Sequence, residues 1–388
     1  MTDRYYSKAV VIALTALLCL AFPINSTARV TEPDSTAVIA PGITYAQYSD
    51  NTPWAVQVIT IERQNWKNLG VALGGPTVLG IEPLDRTIER LTTNAYPIEA
   101  AINGDFYQLA EGPFQGDPIG LCVTNGELVS SPVNRSAFII REDGSITIGR
   151  FSFEAVIGNS QGNTYQLEGV NQHCTDDGIV LLTPRFNSMT RPEEGSTILV
   201  AGPMDEPLKP QGTYRFTVQD KLPGSNEVPI PSNRILLVGK GKGAQFLEQF
   251  KKGMDITCAY GMYPDPGKIR HAVGGGPRLM RNDMIIIEAG REGIGERFVT
   301  ARHPRTALGY NNDNLYIVTI DGRRDGYSVG MSLPETAEVL LMLGAEEAIN
   351  LDGGGSTTCW ADGQIRNRPS DNRIRPIANA VVVYDADK

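Results

Sequence analysis

Apolar and polar positions alternate over short stretches along most of the chain. Tyr45–Tyr48 and Trp54–Ile61 are rich in β-branched and aromatic residues with partial alternation, the mark of half-buried strands. Ile98–Ile102 is a largely apolar run, broken only by Glu99, that stops at Asn103-Gly104. Phe138–Arg141 and Ser145–Gly149 read as strands about a turn at Glu142-Asp143-Gly144. Residues 150–235 continue this style, punctuated by Gly and Pro, with Ile198–Ala201 and Thr213–Val218 as strands. Met284–Glu288, Asn314–Ile320, Ala348–Leu351 and Ala380–Tyr384 complete the set. Helical spacing is rarer. Leu84, Ile88 and Leu91 predict a short helix within 81–95, and Phe246, Leu247 and Phe250 mark one face of a helix over 243–252. Ser332–Gly344 carries the clearest signal: Ser332 as N-cap, Glu335 three residues on as its capping-box partner, Pro334 in the first turn, and Gly344 just past the end. Many short strands with a few packing helices predict an α+β fold with mixed β-sheets.

The N-terminus breaks the pattern. Arg4 and Lys8 precede an apolar run from Ala9 to about Pro23, and Ser26-Thr27-Ala28 supplies small residues at a cleavage site. This is the layout of a secretory signal peptide over residues 1–28. An uncleaved anchor is the alternative, but the run is short for a spanning helix. Residues 29–41 then read as a flexible leader, and 42–388 as the folded unit. Cleavage removes two cations and one anion, moving the net charge from -9 to -10. A secreted, periplasmic or cell-envelope location follows, with no stable membrane insertion after cleavage. Export allows Cys122, Cys174, Cys258 and Cys359 to form two disulfides, although buried thiols are an equal reading.

Composition narrows the function. Charged residues make up 20% and hydrophobic ones 41%, which excludes a disordered chain. The acidic balance argues against nucleic acid as a partner, because that binding needs a positive field. Three histidines leave little scope for a histidine-rich zinc site. No cofactor or metal motif is read, beyond an Asp-Gly-rich segment that would also suit a calcium loop.

Polar clusters follow the ends of apolar strands, where rigid elements hold side chains in place. Asn103-Gly104-Asp105 follows the first; a plain Asn-Gly hairpin turn is its bland reading. Arg270-His271 leads into Val273-Gly274-Gly275-Gly276-Pro277, a loop able to expose backbone N–H groups. His303-Pro304-Arg305 offers a cation suited to phosphate or carboxylate, or a surface salt bridge. Asp321-Gly322-Arg323 ends one strand. After the capped helix, Asn350-Leu351-Asp352-Gly353-Gly354-Gly355-Ser356-Thr357 ends another. A parallel crossover would bring Asp321 and Asp352 near one another. Paired carboxylates beside arginine suit glycosidic or phosphoryl chemistry.

The ordered set AINGDFY (101–107), VGGGPRLMRND (273–283), PRTALGY (304–310), DGRRDGYSVGMSLPETAEVLLMLGAEEAINLDGGGSTT (321–358) and NRPSDNRIRPIANAVVV (367–383) resembles the phosphodiester glycosidase family. The resemblance implies an exported or luminal hydrolase acting on a sugar-1-phosphodiester, built as one integrated α+β catalytic domain. Residues 187–235 look extended relative to the family. On this reading Asp105, Asp321 and Asp352 are the catalytic carboxylates. Arg305 and Arg323 hold phosphate, helped by Gly353, Gly354, Gly355, Ser356 and Thr357. Asn103 and Asn350 orient hydroxyls, and His271 and His303 are further binding or acid groups. Two other readings stand beside it: a non-catalytic binding module for phosphorylated surface glycans, and a metal-dependent phosphodiesterase with the three aspartates as ligands.

Overall fold

The computed structural model describes residues 32–50, 53–93, 96–190, 194–224 and 227–385. The expected signal peptide lies outside the described residues. Among the described residues no helix is long and apolar enough to cross a membrane. The fold is α+β, dominated by antiparallel sheets with few helices.

The first eight-stranded sheet runs Ser35–Ala40, Ile43–Asp50, Trp54–Glu62, Asn314–Ile320, Arg305–Tyr310, Glu347–Asn350, Arg278–Arg281 and Met284–Ile285, with antiparallel neighbours throughout. Because strand side chains alternate in direction, one face carries Val56, Val58, Val318 and Ile320 and the other Ile59, Ile61 and Ile317. The first face packs with Ala337 and Leu340 of the Leu333–Met342 helix; the second joins the main core with Leu308 and Ile349. That helix starts as its sequence predicts. Ser332 Oγ accepts from Glu335 N at 3.3 Å, and Ser332 N donates to Glu335 Oε2 at 2.8 Å.

A five-stranded sheet contains Ile98–Asn103 between Cys359–Ala361 and Asn379–Tyr384, with Leu69–Leu73 beyond the latter. Another five-stranded sheet holds Ile269–Gly274 between Ser136–Arg141 and Cys122–Thr124. The second eight-stranded sheet contains Ser196–Gly202 and Gly212–Gly224, both from the segment that looks extended in the sequence. Its apolar face forms a separate core around Leu199, Leu237 and Ile256.

Several expectations change. Part of the segment read as a leader, Ser35–Ala40, is an edge strand paired with Ile43–Asp50. The helix expected over 243–252 runs Gly241–Glu248, and the strand expected over 284–288 is only Met284–Ile285. Asn103-Gly104 is not a hairpin turn: Asn103 ends a central strand opposite Ala380. Asn314–Ile320 and Glu347–Asn350 do run the same way, but they are not neighbours. Arg305–Tyr310 lies antiparallel between them, pairing Arg305 with Ile320 and Ala307 with Asn350. Two strand spacings of about 5 Å each therefore separate the ends that lead to Asp321 and Asp352. Cys122, Cys174, Cys258 and Cys359 are buried thiols, and no disulfide joins them.

Candidate active site

Three sheets meet at the carboxyl end of Ile98–Asn103. Asn103 is fully buried and ties its own sheet to the first large sheet. Its Nδ2 donates to the main-chain oxygen of Asp352 at 2.7 Å, and its Oδ1 accepts from Thr306 Oγ1 at 2.8 Å and Thr358 N at 3.1 Å. Asp352 N donates in turn to Gly104 O at 3.0 Å. The first large sheet is thus clamped to the smaller sheet where Asp105 and Asp352 emerge.

Asp105 is held from all sides. Oδ1 accepts from Phe106 N at 2.8 Å and Oδ2 from Gly120 N at 2.7 Å, while its own N–H donates to Asn379 Oδ1 at 2.7 Å. Gly274 explains one use of the glycine loop: a Cβ there would collide with Asp105 Oδ2. Burial pushes the Asp105 carboxyl up to about 7, against the two backbone N–H donors; the negative charge of Asp352 adds to the rise, and Arg135 opposes it. Asp352 is half-buried and accepts from Gly353 N at 2.8 Å through Oδ1. Burial raises it to about 6, with Ser356, the Gly353 N–H and Arg375 pulling it down. Two carboxyls close enough to influence each other share this site, and their protons belong to the pair.

The loop after Asp352 is a cradle. Gly354 has φ +61, and an added Cβ would meet Arg323 Nη2 at 2.9 Å. A Cβ on Gly355 would strike the guanidinium of Arg375. Arg323 is exposed and sits 3.4 Å from His303 Nδ1 through Nη2. Burial lowers the His303 pKa, and Arg305, Arg323 and Arg297 lower it further. The flank beside Gly353–Ser356 is therefore cationic while the imidazole is neutral. Ser356 Oγ is buried between Asp352 and Tyr107 and makes no hydrogen bond of ordinary geometry. Thr357 is buried beside it, near Thr306 Oγ1 at 3.4 Å.

Other sequence-predicted residues are placed elsewhere. Asp321 is 1% exposed and fully engaged: it accepts from Tyr327 OH at 2.8 Å, Asn367 Nδ2 at 2.9 Å and Arg368 N at 3.0 Å. Arg305 is also 1% exposed, and its guanidinium donates to the carbonyls of Met331, Phe298 and Ala301 at 2.7–2.9 Å. Asn350 is buried and donates to Gly276 O and Leu351 O, fastening the two glycine loops to each other. His271 lies near Asn125 N, Arg270 and Val71, none of which belongs to the carboxylate group; burial lowers it to about 4. Among the described residues, no group of three or more His, Cys, Asp or Glu side chains could hold a metal ion, so Asp105, Asp321 and Asp352 are not gathered as a ligand set.

The structure also brings in residues that the motif reading passed over. Arg375 joins Asp371 at 2.7 Å and faces Asp352. Asn379 anchors Asp105, Tyr107 donates to Pro376 O at 2.7 Å, and Asp117 lies close enough to feel the charge of Asp105. Arg375 and Asn379 sit in NRPSDNRIRPIANAVVV, a stretch noted for its resemblance alone. Asp117 has no sequence signal.

Residues 212–384 match the family described as phosphodiester glycosidase. That span of the phosphodiester glycosidase match includes the Gly274 loop, His303, Arg323, Asp352, the glycine cradle and Arg375; Asn103 and Asp105 precede it. Bovine N-acetylglucosamine-1-phosphodiester alpha-N-acetylglucosaminidase is 36% identical over 104 residues, covering 24% of this chain and 19% of that protein. The human protein of the same name is likewise 36% identical over 104 residues, covering 24% of this chain and 20% of its own length. The match thus spans about a fifth of these relatives. A hypothetical protein from Synechocystis has the same fold, with a TM-score of 0.74 and 25% identity over 89% of this chain and 62% of that one. A Burkholderia pseudomallei protein shares the fold at a TM-score of 0.70 and 20% identity, covering 85% and 74% of the two chains.

Proposed function

We propose that the protein is an exported hydrolase that cleaves a sugar-1-phosphodiester on a glycan, glycolipid or cell-envelope polymer. The observation that carries this reading is the Asp105–Asp352 pair beside a cationic glycine cradle. The family match supports phosphodiester glycosidase chemistry in general, and an N-acetylglucosamine-1-phosphodiester is the first substrate to try.

A diester phosphate is an anion and needs fixed positive charge. Arg323, Arg375 and the cradle of Gly353–Ser356 supply it, because the missing Cβ atoms let both guanidinium groups lie on the loop. Arg305, donating to three carbonyls, positions this flank and leaves phosphate contact to Arg323. Asp321 likewise acts as a positioning residue, holding Arg368 and Asn367 in place.

The sugar carbon develops positive charge as its bond to the phosphate oxygen breaks. An ionised carboxylate of the pair stabilises that charge or directs water, and the protonated partner donates to the departing oxygen. Both carboxyls are raised toward neutrality, to about 6 and about 7, so one member of the pair can hold a proton while the other is ionised. The phosphomonoester then leaves against Arg323 and Arg375.

Turnover of defined sugar-1-phosphodiesters in ¹⁸O-labelled water tests this reading. Label in the released sugar is expected, marking C–O cleavage. Label in phosphate would instead mean attack at phosphorus, and no turnover on any diester would remove the hydrolase reading.

A further inference from the structure

A cavity of about 400 Å³ opens beside the hairpin that carries Asp105. The segment Asp117–Gly120 runs back along Asp105–Gln108, with Gln108 N donating to Asp117 O and Ile119 N to Phe106 O, both at 2.9 Å. Asp117, Gln108 and Ile119 all line the cavity. Asp117 is only 8% exposed, and its Oδ1 makes no hydrogen bond. A buried carboxyl oxygen without a partner is costly unless a ligand or water satisfies it. Phe114 forms an aromatic wall, packed edge-on against His173 at 5.0 Å and against Phe186 at 5.8 Å. Gln172 adds an amide, fixed to Ser131 O and Ser130 Oγ.

Among the described residues, no lysine or arginine lines this cavity, whereas Asp117 and Glu111 do. The charge of Arg135 reaches Asp105, but Arg135 is not among the lining residues. A phosphate would meet carboxyl oxygens here with no cation to balance them. A pyranose offers what the walls ask for: an apolar C–H face for Phe114, and hydroxyls for Asp117 and the glutamine amides. The volume falls in the usual range for a small-molecule site with a few convergent polar groups. Asp117 lies within reach of the charge of Asp105, Asp105 within reach of that of Asp352, and Asp352 within reach of that of Arg375.

We propose that the cavity walled by Phe114, Asp117 and Gln172 seats the uncharged sugar ring, while the phosphate lies past the Asp105–Asp352 pair against Arg323 and Arg375. This rests on the hydrolase reading and adds the orientation of its substrate. Burial and the charge of Asp105 hold the Asp117 carboxyl well above the usual carboxylate range, which favours the protonated form that can donate one hydrogen bond.

The test uses the full chain and free N-acetylglucosamine, glucose and galactose as probes, followed by imidazole NMR. Only His173, His271 and His303 contribute signals, and His173→Gln assigns the one in the cavity. At least one monosaccharide should shift His173 saturably. Phe114→Ala and Asp117→Ala should weaken that binding about tenfold or more. Asp117→Asn, which keeps a donor, should stay within about threefold, and an unmoved His271 signal shows that each variant is folded. Inorganic phosphate should shift His303 and leave His173 alone. The proposal is overturned if no monosaccharide shifts His173, if Phe114→Ala binds as well as the parent, or if phosphate shifts His173 more than His303. Binding is read without turnover, so a sugar-dependent His173 shift in a chain that hydrolyses nothing would support the cavity while removing the hydrolase reading.

Discussion

Asn103 donates from Nδ2 to the main-chain oxygen of Asp352 across 2.7 Å, joining residues 249 positions apart in the chain. This bond sets the position of one carboxylate by the strand that delivers the other. Asn103→Ala would leave the acceptor on Asp352 and the donors on Thr306 and Thr358 without their buried partner, at about 1–3 kcal/mol for each unsatisfied group. The expected outcome is a clear loss in chemical or thermal unfolding together with a loss of turnover of at least about tenfold. Unchanged activity in a destabilised Asn103→Ala protein would show that the clamp does not position the pair.

The carboxylate pair predicts a bell-shaped pH profile. Turnover should rise as pH climbs through about 6, where the pair loses its first proton, and fall above about 7, where it loses its second. Asp105→Asn and Asp352→Asn should each lower kcat by about 10³ or more with the protein still folded. A flat profile across this window, or a variant with near-full turnover, would sink the paired assignment.

Arg305 and Arg323 should behave differently despite their nearness in sequence. Arg305→Met strands one buried and two part-buried carbonyls, so stability should drop by about 1–3 kcal/mol. Arg323→Ala changes an exposed side chain, so the melting temperature should barely move while KM for a phosphodiester rises about tenfold. Equal effects of the two on KM at unchanged stability would contradict the division between positioning and phosphate contact.

Gly274→Ala tests the packing behind Asp105. The added methyl group collides with Asp105 Oδ2 and with the backbone at Gly120. Relief requires moving a carboxylate that is fixed by two N–H donors. Turnover should fall about a hundredfold or more. Gly290→Ala, with open space around it, serves as the neutral control.

The resemblance in the motif blocks was legible early, and so were the capped helix at Leu333–Met342 and the strand that delivers Asn103. These are local signals: a capping box, an apolar run, a glycine triplet. Apolar, β-branched runs marked the strands within 54–62 and 314–320, which are buried on both faces. They could not say that Arg305–Tyr310 would lie between Asn314–Ile320 and Glu347–Asn350, since strand order depends on pairing between distant segments.

The sequence by itself determined which residue types were available: carboxylates at strand ends, glycines beside them, arginines in reach, and few histidines. Tertiary structure alone decided which of these meet. It turned the side chain of Arg305 onto carbonyls, surrounded Asp321 with donors, and set Asp105 against Asp352. It also exposed Arg323 to solvent and left Asp117 facing a cavity. The physical reason is that burial, hydrogen-bond partners and local charge belong to the packed environment, and they fix whether an ionisable side chain holds the fold or faces a ligand.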